Sequence, residues 1–413
     1  MGFTVQEVLQ FVRENDVKFV RLAFCDLKGN QKNISIMAQE LNRAFEQGIS
    51  IDGSAIPGFC RAEKSDLLLF PDPSTLTVIP WRPQHGRVVR MFCNISWGDR
   101  TPFEADSRAV LKRVTEDLAG EGLRCNIGSE CEFYLFKLDE EGNVTDCPLD
   151  QGGYLDIAPL DKGENIRRDI CINLEEMGIA PESSHHEQGP GQNEVDFRFS
   201  EPLKAADNLV TFKSVVAASA MRSGLAASFD PKPIADKSGN GLHINVSLYQ
   251  SELNLMAGGK LHRSVQAFLA GVLKHSPEMM IYTNPLKSSY DRLGRMEAPK
   301  YIGWSNENRS QLIRIPSAEG DYRRFEFRLP DSSCNPYLCI ALILAAGLDG
   351  IRSGASLEPA ADENAYDGKE TPQLRRKLLP ESLEEAVGIA SKSRFLHSVL
   401  GKLNDRYLKT IEL

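Results

Sequence analysis

The stretch Gly128–Phe136, which reads Gly-Ser-Glu-Cys-Glu-Phe-Tyr-Leu-Phe, constrains the fold of this chain more than any other. A strand alternates its side chains between two faces, so Glu130 and Glu132 point the same way. Two neighbouring carboxylates repel each other, and buried ones require a cation, a shared proton or an arginine. The alternative is a solvated strand face, but the apolar residues that flank the pair predict an interior strand. We therefore expect the fold to bring positive charge to these two carboxylates.

Composition narrows the class of protein. The chain has 413 residues, of which 41% are hydrophobic and 25% charged, as in a soluble globular protein with room for two domains. A net charge of −9 without a basic block argues against a nucleic-acid or membrane partner. The N-terminus lacks a signal-peptide pattern, and the longest apolar run is too short to span a bilayer. Nine cysteines without a Cys-x-x-Cys pair predict thiols in a reducing compartment, so we expect a cytoplasmic location.

The pattern of strands and helices changes near residue 100. Before it, short strand patterns and one main helix predict a small sheet-rich unit. The segment Thr101-Pro102-Phe103-Glu104 combines a capping box with a proline at the first helical position. It predicts a helix that runs to about Ala119 and leads into the strand of Glu130. We therefore expect two domains, residues 1–101 and residues 102–413.

Three segments of the second part share the pattern of the first stretch. Residues 194–199, 242–248 and 324–329 each alternate polar or charged side chains with apolar ones. Any one of them alone is typical of a half-buried strand. Together they predict one antiparallel sheet with an apolar back and a polar front, in an α+β fold. Helical patterns that would cover the back lie near residues 164–177, 204–224, 262–275 and 335–351.

The polar front carries the residues that could take part in metal binding or catalysis. Its carboxylates and one imidazole are Glu130, Glu132, Glu187, Glu194, Glu326 and His243. This hard, oxygen-rich set suits Mg²⁺ or Mn²⁺ better than a thiolate zinc site. Because six protein ligands exceed what one partly hydrated Mg²⁺ takes, we expect two or more ions.

Arginines accompany these carboxylates in the sequence. They are Arg292, Arg309, Arg314, Arg324 and Arg328. Carboxylates, divalent metal and arginine in one cavity indicate phosphoryl transfer from a nucleotide. Structural pairing of Arg with Glu across strands is the alternative. No P-loop or dinucleotide-binding glycine motif is present, so metal and arginine would hold the phosphates. The residues alone predict a metal-dependent phosphoryl-transfer enzyme of unknown substrate.

An ordered series of short motifs resembles the glutamine synthetase family, in its bacterial type I form, over nearly the whole chain. The motifs are Asp52-Gly53-Ser54, Pro57-Gly58-Phe59, Glu130-Cys131-Glu132-Phe133, His185-His186-Glu187, Gly191-Gln192-Asn193-Glu194, Gly239-Asn240-Gly241-Leu242-His243, Asn308-Arg309-Ser310, Ile313-Arg314-Ile315-Pro316, Arg323-Arg324-Phe325-Glu326-Phe327-Arg328 and Asn335-Pro336-Tyr337.

The resemblance implies a fold, a reaction and an assembly. The fold is a small N-terminal β-grasp domain followed by a catalytic domain with a curved antiparallel sheet backed by helices. The reaction joins glutamate and ammonia through a γ-glutamyl phosphate, at the expense of ATP. The assembly is a hexameric ring, often stacked as a dodecamer, in which the loop at Asp52 reaches into the neighbour's site.

The resemblance also implies roles for individual residues. One metal would be held by Glu132, Glu187 and Glu194, and the other by Glu130, His243 and Glu326. Glutamate would be bound by Arg292, Ser238, Gly239, Arg309 and Arg328. ATP would be bound by Glu182, His185, Asn245, Ser247, Arg314 and Arg324. The catalytic residues would be Asp52, Glu297, Arg309 and Arg328.

Departures from the family pattern leave two other hypotheses open. Ala55 stands where a serine is usual beside the ammonium site, and the flap Leu293–Pro299 is one residue shorter than usual. Both changes favour a γ-glutamyl-amine ligase that acts on a methylamine or a polyamine. The other hypothesis is a catalytically silent oligomeric homologue, which would have no physical need to keep repelling carboxylates together.

Two features bear on assembly and control. The sequence stops at Leu413, short of the tail that ties two rings together, so we expect a single hexamer or a weaker dodecamer. Tyr366 lies in Asn364-Ala365-Tyr366-Asp367, which is similar to the adenylylated loop of some relatives. However, Gly368 and Lys369 follow where leucine and proline are usual, which argues against that control.

Overall fold

Two sheets organise the chain. The computed structural model describes residues 2–258, 260–366 and 378–412. A six-stranded sheet occupies the N-terminal part, and a ten-stranded sheet occupies the part that follows it. The α+β class is therefore confirmed.

The N-terminal part combines two helices with the smaller sheet. Its elements are α1 (Val5–Glu14), β1 (Val17–Cys25), β2 (Gln31–Met37), α2 (Leu41–Gln47), β3 (Ile49–Asp52), β4 (Asp66–Pro71), β5 (Thr77–Val78) and β6 (Arg87–Trp97). The strand order is β2-β1-β6-β4-β3, with β5 beside β6. The central pair β1 and β6 is parallel, and the other pairs are antiparallel. Helix α1 begins at a capping box in which Thr4 and Glu7 satisfy each other's backbone N–H groups.

The predicted helix start at Thr101 is wrong. Helix α3 (Ser107–Gly120) begins six residues later, because the Asp106 carboxylate caps its first turn. The Thr101 hydroxyl instead donates to Asp99 at 2.6 Å. The Glu104 carboxylate accepts from Trp97 Nε1 at 3.0 Å and from an Arg406 nitrogen at 2.8 Å. Both halves of the expected capping box therefore have other partners.

The larger sheet contains every strand that the polar-face pattern predicts. The elements around it are β7 (Leu123–Leu138), β8 (Val144–Pro148), α4 (Glu164–Glu176), β9 (Pro181–His186), β10 (Gln192–Ser200), α5 (Pro202–Arg222), β11 (Leu225–Ser228), β12 (Leu242–Gln250), β13 (Leu253–Asn254), α6 (Arg263–Thr283), α7 (Lys287–Arg292), β14 (Trp304–Asn306), β15 (Ile313–Ile315), β16 (Phe325–Phe327) and α8 (Pro336–Ser353). In the described residues after α8, three further helices are present, α9 (Leu383–Ala390), α10 (Arg394–Leu400) and α11 (Lys402–Leu408).

The strand order of this sheet places β7 at its centre. The order is β14-β15-β16-β12-β7-β10-β9, with β8 and β11 also paired to β7 and β13 paired to β12. One edge pair, β14 with β15, is parallel, so the sheet is mixed and not wholly antiparallel. Its central strands remain antiparallel, which lets alternating polar residues of neighbouring strands meet on one face.

Helices cover the apolar back as predicted. Helix α5 packs on β7 and β11, while α6 packs along α8. Helix α8 begins at Pro336, where the Asn335 side chain accepts from two backbone N–H groups. Its 18 residues satisfy the length and composition of a membrane span, but 72% of that window is buried inside the protein. Its hydrophobicity therefore reflects its position as the central helix of the core.

Helices α6 and α8 approach each other so closely that glycine is required. A Cβ at Gly271 would fall inside contact distance of the Ala346 carbonyl oxygen and of Gly350. We expect Gly271→Ala to lower the free energy of unfolding by about 2 kcal/mol, measured by denaturant titration. On the exposed side of helix α9, a Cβ at Gly388 would meet nothing within 4 Å. Gly388→Ala should stabilise the protein by up to about 1 kcal/mol, and equal effects of the two changes would contradict the close approach.

Candidate active site

The polar face of the larger sheet is built by cross-strand pairing. On β7, Glu130 lies opposite His243 of β12 and Asp196 of β10, and Glu132 lies opposite Glu194 of β10. Residues that face each other across antiparallel strands project to the same side. The resulting face lines a cavity of about 640 Å³ that contains nearly all of the predicted metal ligands.

The first ligand cluster consists of Glu130, His243 and Glu326. His243 Nδ1 lies 3.3 Å from a Glu130 oxygen and 3.4 Å from a Glu326 oxygen. The three ligand atoms all lie within 4.8 Å of one another. The cluster is the one that the resemblance implies for one metal, and its oxygen and imidazole donors fit Mg²⁺ or Mn²⁺.

Glu326 is the most enclosed member of that cluster. Its side chain is 1% exposed, and its two oxygens accept from Arg314 at 2.7 Å and from Arg328 at 2.5 Å. Burial alone would raise its pKa, but His243 and the two guanidinium groups outweigh burial and hold the pKa at about 2. Glu326 is therefore a permanent negative charge between two arginines and an imidazole.

The second predicted trio lies beside the first. Glu132, Glu187 and Glu194 all line the same cavity. Burial raises the pKa of Glu132, and the charge of Glu187 raises it further. Burial and neighbouring carboxylates likewise raise the pKa of Glu194 well above its ordinary value. Such an accumulation of desolvated carboxylates fits a bound divalent cation, which would relieve their repulsion.

Asp196 is a site residue that the sequence analysis did not select. A carboxylate oxygen of Asp196, a ring nitrogen of His185 and a carboxylate oxygen of Glu194 all lie within 4.8 Å of one another. One of its oxygens is buried without a hydrogen-bond partner in the described part of the chain. Burial and the charge of Glu130 raise its pKa to about 6. The sequence pattern could have identified Asp196, because it lies two residues after Glu194 and shares the polar face of β10 with it.

Arginines also line the cavity. Arg292 is 4% exposed, and its Nη1 donates to the Leu329 carbonyl at 3.1 Å. Gly239 lies against its side chain, where a Cβ would collide with the Pro231 carbonyl oxygen. Arg309, Arg314, Arg324 and Arg328 also line the cavity, together with Ser238 and Glu297. A cavity in which guanidinium groups lie among carboxylates, as Arg314 and Arg328 do beside Glu326, is suited to a metal–phosphate complex.

A smaller cavity of about 180 Å³ adjoins the first. Of the predicted ATP residues it contains Glu182, Asn245, Ser247 and Arg324, whereas His185 and Arg314 lie on the main cavity. Its wall includes Phe199 and Tyr322, whose ring centroids are 6.4 Å apart in an edge-to-face arrangement. A slot with an aromatic pair can receive a flat heterocycle. Both cavities share Glu130, Asp196 and Arg324, so a nucleotide in the slot would direct its phosphates at the carboxylate cluster.

The predicted flap closes one side of the main cavity. Met296 and Glu297 line it, and both have positive φ angles, 46° and 68°. The Glu297 carbonyl accepts from Arg328 Nη2 at 3.2 Å, which ties the flap to the floor of the site. Tyr366 donates its hydroxyl to the Arg309 carbonyl at 3.0 Å. Gly368 and Lys369, on which the adenylylation question rests, lie outside the described residues.

Asp52 is separate from this site within one chain. It lies at the end of β3 in the N-terminal part, where its carboxylate accepts from the Ser54 backbone and hydroxyl. Among the described residues that line the two cavities, neither Asp52 nor Ala55 is present. Both are exposed to solvent.

Comparison with protein-family models assigns both parts of the chain. Residues 16–98 match the β-grasp domain of glutamine synthetase, and residues 104–410 match its catalytic domain. The chain belongs to the glutamine synthetase family. The smaller sheet is thus a β-grasp domain, and the cavity lies in the catalytic domain of this family.

Similar proteins cover almost the whole chain. The glutamine synthetases of Clostridium saccharobutylicum and Methanosarcina mazei are each 44% identical to it over 97% of its length, and they are covered to 92% and 91%. A solved structure of GmaS in complex with ADP superposes with a TM-score of 0.90 at 31% identity, over 98% of this chain and 94% of that one. The chain therefore carries the complete two-domain architecture of the family.

Proposed function

We propose that the protein is a glutamate–ammonia ligase that forms glutamine from glutamate, ammonia and ATP through a γ-glutamyl phosphate. The observation that carries the proposal is a cavity lined by carboxylates, His243 and five arginines, which adjoins a slot of about 180 Å³ with an aromatic pair in its wall. The names of the relatives in Clostridium and Methanosarcina support the same reaction.

Two or more divalent ions, Mg²⁺ or Mn²⁺, would be held by the two clusters. One set is Glu130, His243 and Glu326, whose ligand atoms lie within 4.8 Å of one another. The other would be Glu132, Glu187 and Glu194, which line the cavity. When bound, such ions neutralise phosphate charge and polarise the transferred group.

The amino-acid substrate would occupy the part of the cavity near Gly239. Arg292 can hold its α-carboxylate by two parallel hydrogen bonds, because its guanidinium is buried beside a wall without a Cβ. Ser238 lies next to Gly239 on the same wall. This arrangement directs the γ-carboxylate of glutamate towards Glu132 and the arginines.

Phosphoryl transfer would take place between that carboxylate and ATP bound in the slot. An oxygen of the γ-carboxylate attacks the γ-phosphorus, the bond to the β-phosphate oxygen breaks, and ADP leaves. Arg309 and Arg328 can stabilise the negative charge on the transferred phosphate, and Arg314 and Arg324 can hold the remaining phosphates.

Amide formation would follow in the same enclosed space. Glu297, which lines the cavity on the flap, would accept a proton from ammonium. The free ammonia attacks the acyl carbon, the bond from that carbon to the phosphate oxygen breaks, and phosphate leaves with a second proton from the ammonia. The flap also excludes water, which would otherwise hydrolyse the acyl phosphate. Asp52 of a neighbouring copy would complete the ammonium side.

A second candidate is a γ-glutamyl-amine ligase, favoured by the flap. Met296 and Ala298 line the cavity on either side of Glu297, and Met296 is 56% exposed. Apolar groups beside the proton acceptor can contact the alkyl part of a small amine. The likeness to GmaS is compatible with this candidate.

Phosphate release with an amine panel tests the two candidates. We expect ATP- and glutamate-dependent turnover to have its highest kcat/KM with ammonium, by at least about tenfold over methylamine or a diamine. A higher value with an alkylamine would favour the second candidate. A protein that neither turns over nor gains thermal stability from ATP with Mg²⁺ would support the silent homologue instead.

We further propose a homo-oligomer of hexameric rings in the cytoplasm. An exposed apolar patch, Tyr154, Leu155, Ile157 and Leu160, borders the cavity, and Tyr154 is part of its lining. The exposed Asp52 loop of a neighbour would cover this patch. The mass in solution should correspond to six chains at low concentration, and a single-chain mass with full activity would contradict the shared site. The nine free cysteines are compatible with a reducing compartment.

A further inference from the structure

A separate cavity lies at the junction of the two domains. Its volume is about 480 Å³, and none of its lining residues belongs to the two cavities described above. One wall comes from the N-terminal domain, with Thr75, Arg90 and Phe92. The opposite wall comes from helix α5, with Asn208 and Thr211.

Arg90 is a buried cation on this wall. The residue is 7% exposed, and its guanidinium lies 4.1 Å from the centroid of the Phe92 ring. Its Nη1 donates to the Thr211 hydroxyl at 2.7 Å, and its Nε is buried without a partner in the described part of the chain. Burial lowers its pKa to about 10, so the group is still charged at neutral pH. The charge of Asp207 offsets part of the burial cost of Arg90. A charged group removed from water without a direct ion pair remains costly unless a ligand offsets the rest.

The neighbouring carboxylates are committed to a different arginine. Asp207 accepts from Arg108 through both oxygens, at 3.0 and 2.9 Å, and from the Tyr337 hydroxyl at 2.6 Å. Asp72 also accepts from Arg108, at 2.9 Å. Arg108 therefore has two carboxylate partners, whereas Arg90 has a neutral hydroxyl.

Helix α5 presents further donors to the same space. Lys204, Asn208 and Thr211 line the cavity at successive turns of the helix. Asn208 is 9% exposed, so its amide is held in the wall and not in bulk solvent. The lining also contains Arg108 and the carboxylates of Glu201 and Asp207. Around this half-open cavity, the Arg90 guanidinium, an amide and a hydroxyl form a set of donors for an oxyanion.

We propose that this interdomain cavity binds a small molecule bearing an oxyanion group, a carboxylate or a phosphate, with Arg90 as its principal contact. The ligand would supply the negative charge that Arg90 lacks. Because Arg90 belongs to one domain and Thr211 to the other, binding would stabilise the junction between them.

Thermal unfolding of the full-length protein tests the site with two probes, inorganic phosphate and succinate. At constant ionic strength, adjusted with chloride, the unfolding midpoint should rise saturably with at least one probe below about 20 mM. The stronger probe identifies the preferred oxyanion. The proposed active site would also bind phosphate, so Arg309→Gln serves as a control and should retain the rise.

Two variants test whether Arg90 binds the probe. Arg90→Gln should raise the probe concentration that gives half of the maximal rise in the unfolding midpoint by at least about tenfold. Asn208→Asp keeps the arginine and places a carboxylate one helical turn from Thr211, so it remains informative even if Arg90→Gln fails to fold. We expect Asn208→Asp to raise the basal midpoint and abolish the response.

Two results would overturn the proposal. The first is a wild-type midpoint that neither probe raises, or a rise that is lost in Arg309→Gln and kept in Arg90→Gln. The second is a lower basal midpoint in Asn208→Asp, since it would show that Asp72 and Asp207 already balance Arg90 and Arg108. The cavity would then hold only water.

Discussion

Replacement of Glu326 by glutamine is expected to lower kcat/KM for glutamine formation by about a thousandfold and the free energy of unfolding by about 3 kcal/mol. Glu326 faces His243, Arg314 and Arg328, and its side chain is 1% exposed. Glutamine has nearly the same shape but leaves the buried Arg328 and the partly buried Arg314 without their negative partner. It also removes one ligand from the cluster that would hold a metal.

The two effects are measured separately. Steady-state kinetics with ammonium gives the loss of activity, and urea titration of the metal-free protein gives the loss of stability. Because Glu326 is already ionised and paired without metal, the stability loss should be present before any Mg²⁺ is added. A variant that loses activity but unfolds like the wild type would contradict the pairing.

Glu278 provides a matched control outside the site. Its carboxylate lies 2.6 Å from His275 Nδ1 and is 24% exposed. Glu278→Gln removes a similar contact between a carboxylate and an imidazole far from the cavity linings. The change should lower the free energy of unfolding by about 1 kcal/mol and leave kcat/KM within about twofold of the wild-type value.

The polar face of the catalytic sheet could be predicted because period-two alternation is a local property. Glu130, Glu132, Glu194 and His243 lie on the expected face, since strand geometry determines which side chains share it. Asp196 obeys the same rule and was omitted although the pattern included it. Its raised pKa and unpartnered oxygen become visible only once Glu130 is placed opposite to it.

Other features depended on distant partners. The capping box at Thr101 was wrong because Glu104 pairs with Arg406, 302 residues away in the chain. The parallel pairing of β14 and β15 involves strands of three residues, which are too short to show a period. Arg90 looks like any strand residue, and its burial follows from Thr211, which lies 121 residues further along the chain. Local propensity contains none of this information.

The two carboxylates of β7 serve different parts of the cavity. Glu130 lines both the main cavity and the nucleotide slot, and it accepts from Asn245 Nδ2 at 2.8 Å. Glu132 lines the main cavity alone, where it accepts from the Gly241 N–H at 2.8 Å beside Gly239 and Arg292. Although they are two residues apart on one strand, Glu130 also lines the smaller cavity, where we propose that ATP binds, and Glu132 lies near Gly239 and Arg292, where we propose that glutamate binds.

We therefore expect opposite consequences from two chemically identical changes. Glu130→Gln should raise the KM for ATP by about tenfold or more and leave the KM for glutamate nearly unchanged, whereas Glu132→Gln should do the reverse. Both should lower kcat by about a hundredfold, since each removes a ligand for a metal ion. Calorimetric titration with ADP in the presence of Mn²⁺ adds a readout that does not depend on turnover. The affinity for ADP should weaken only in Glu130→Gln. Equal effects of the two variants on ATP and glutamate would mean that the carboxylates act as one pair around a single cation.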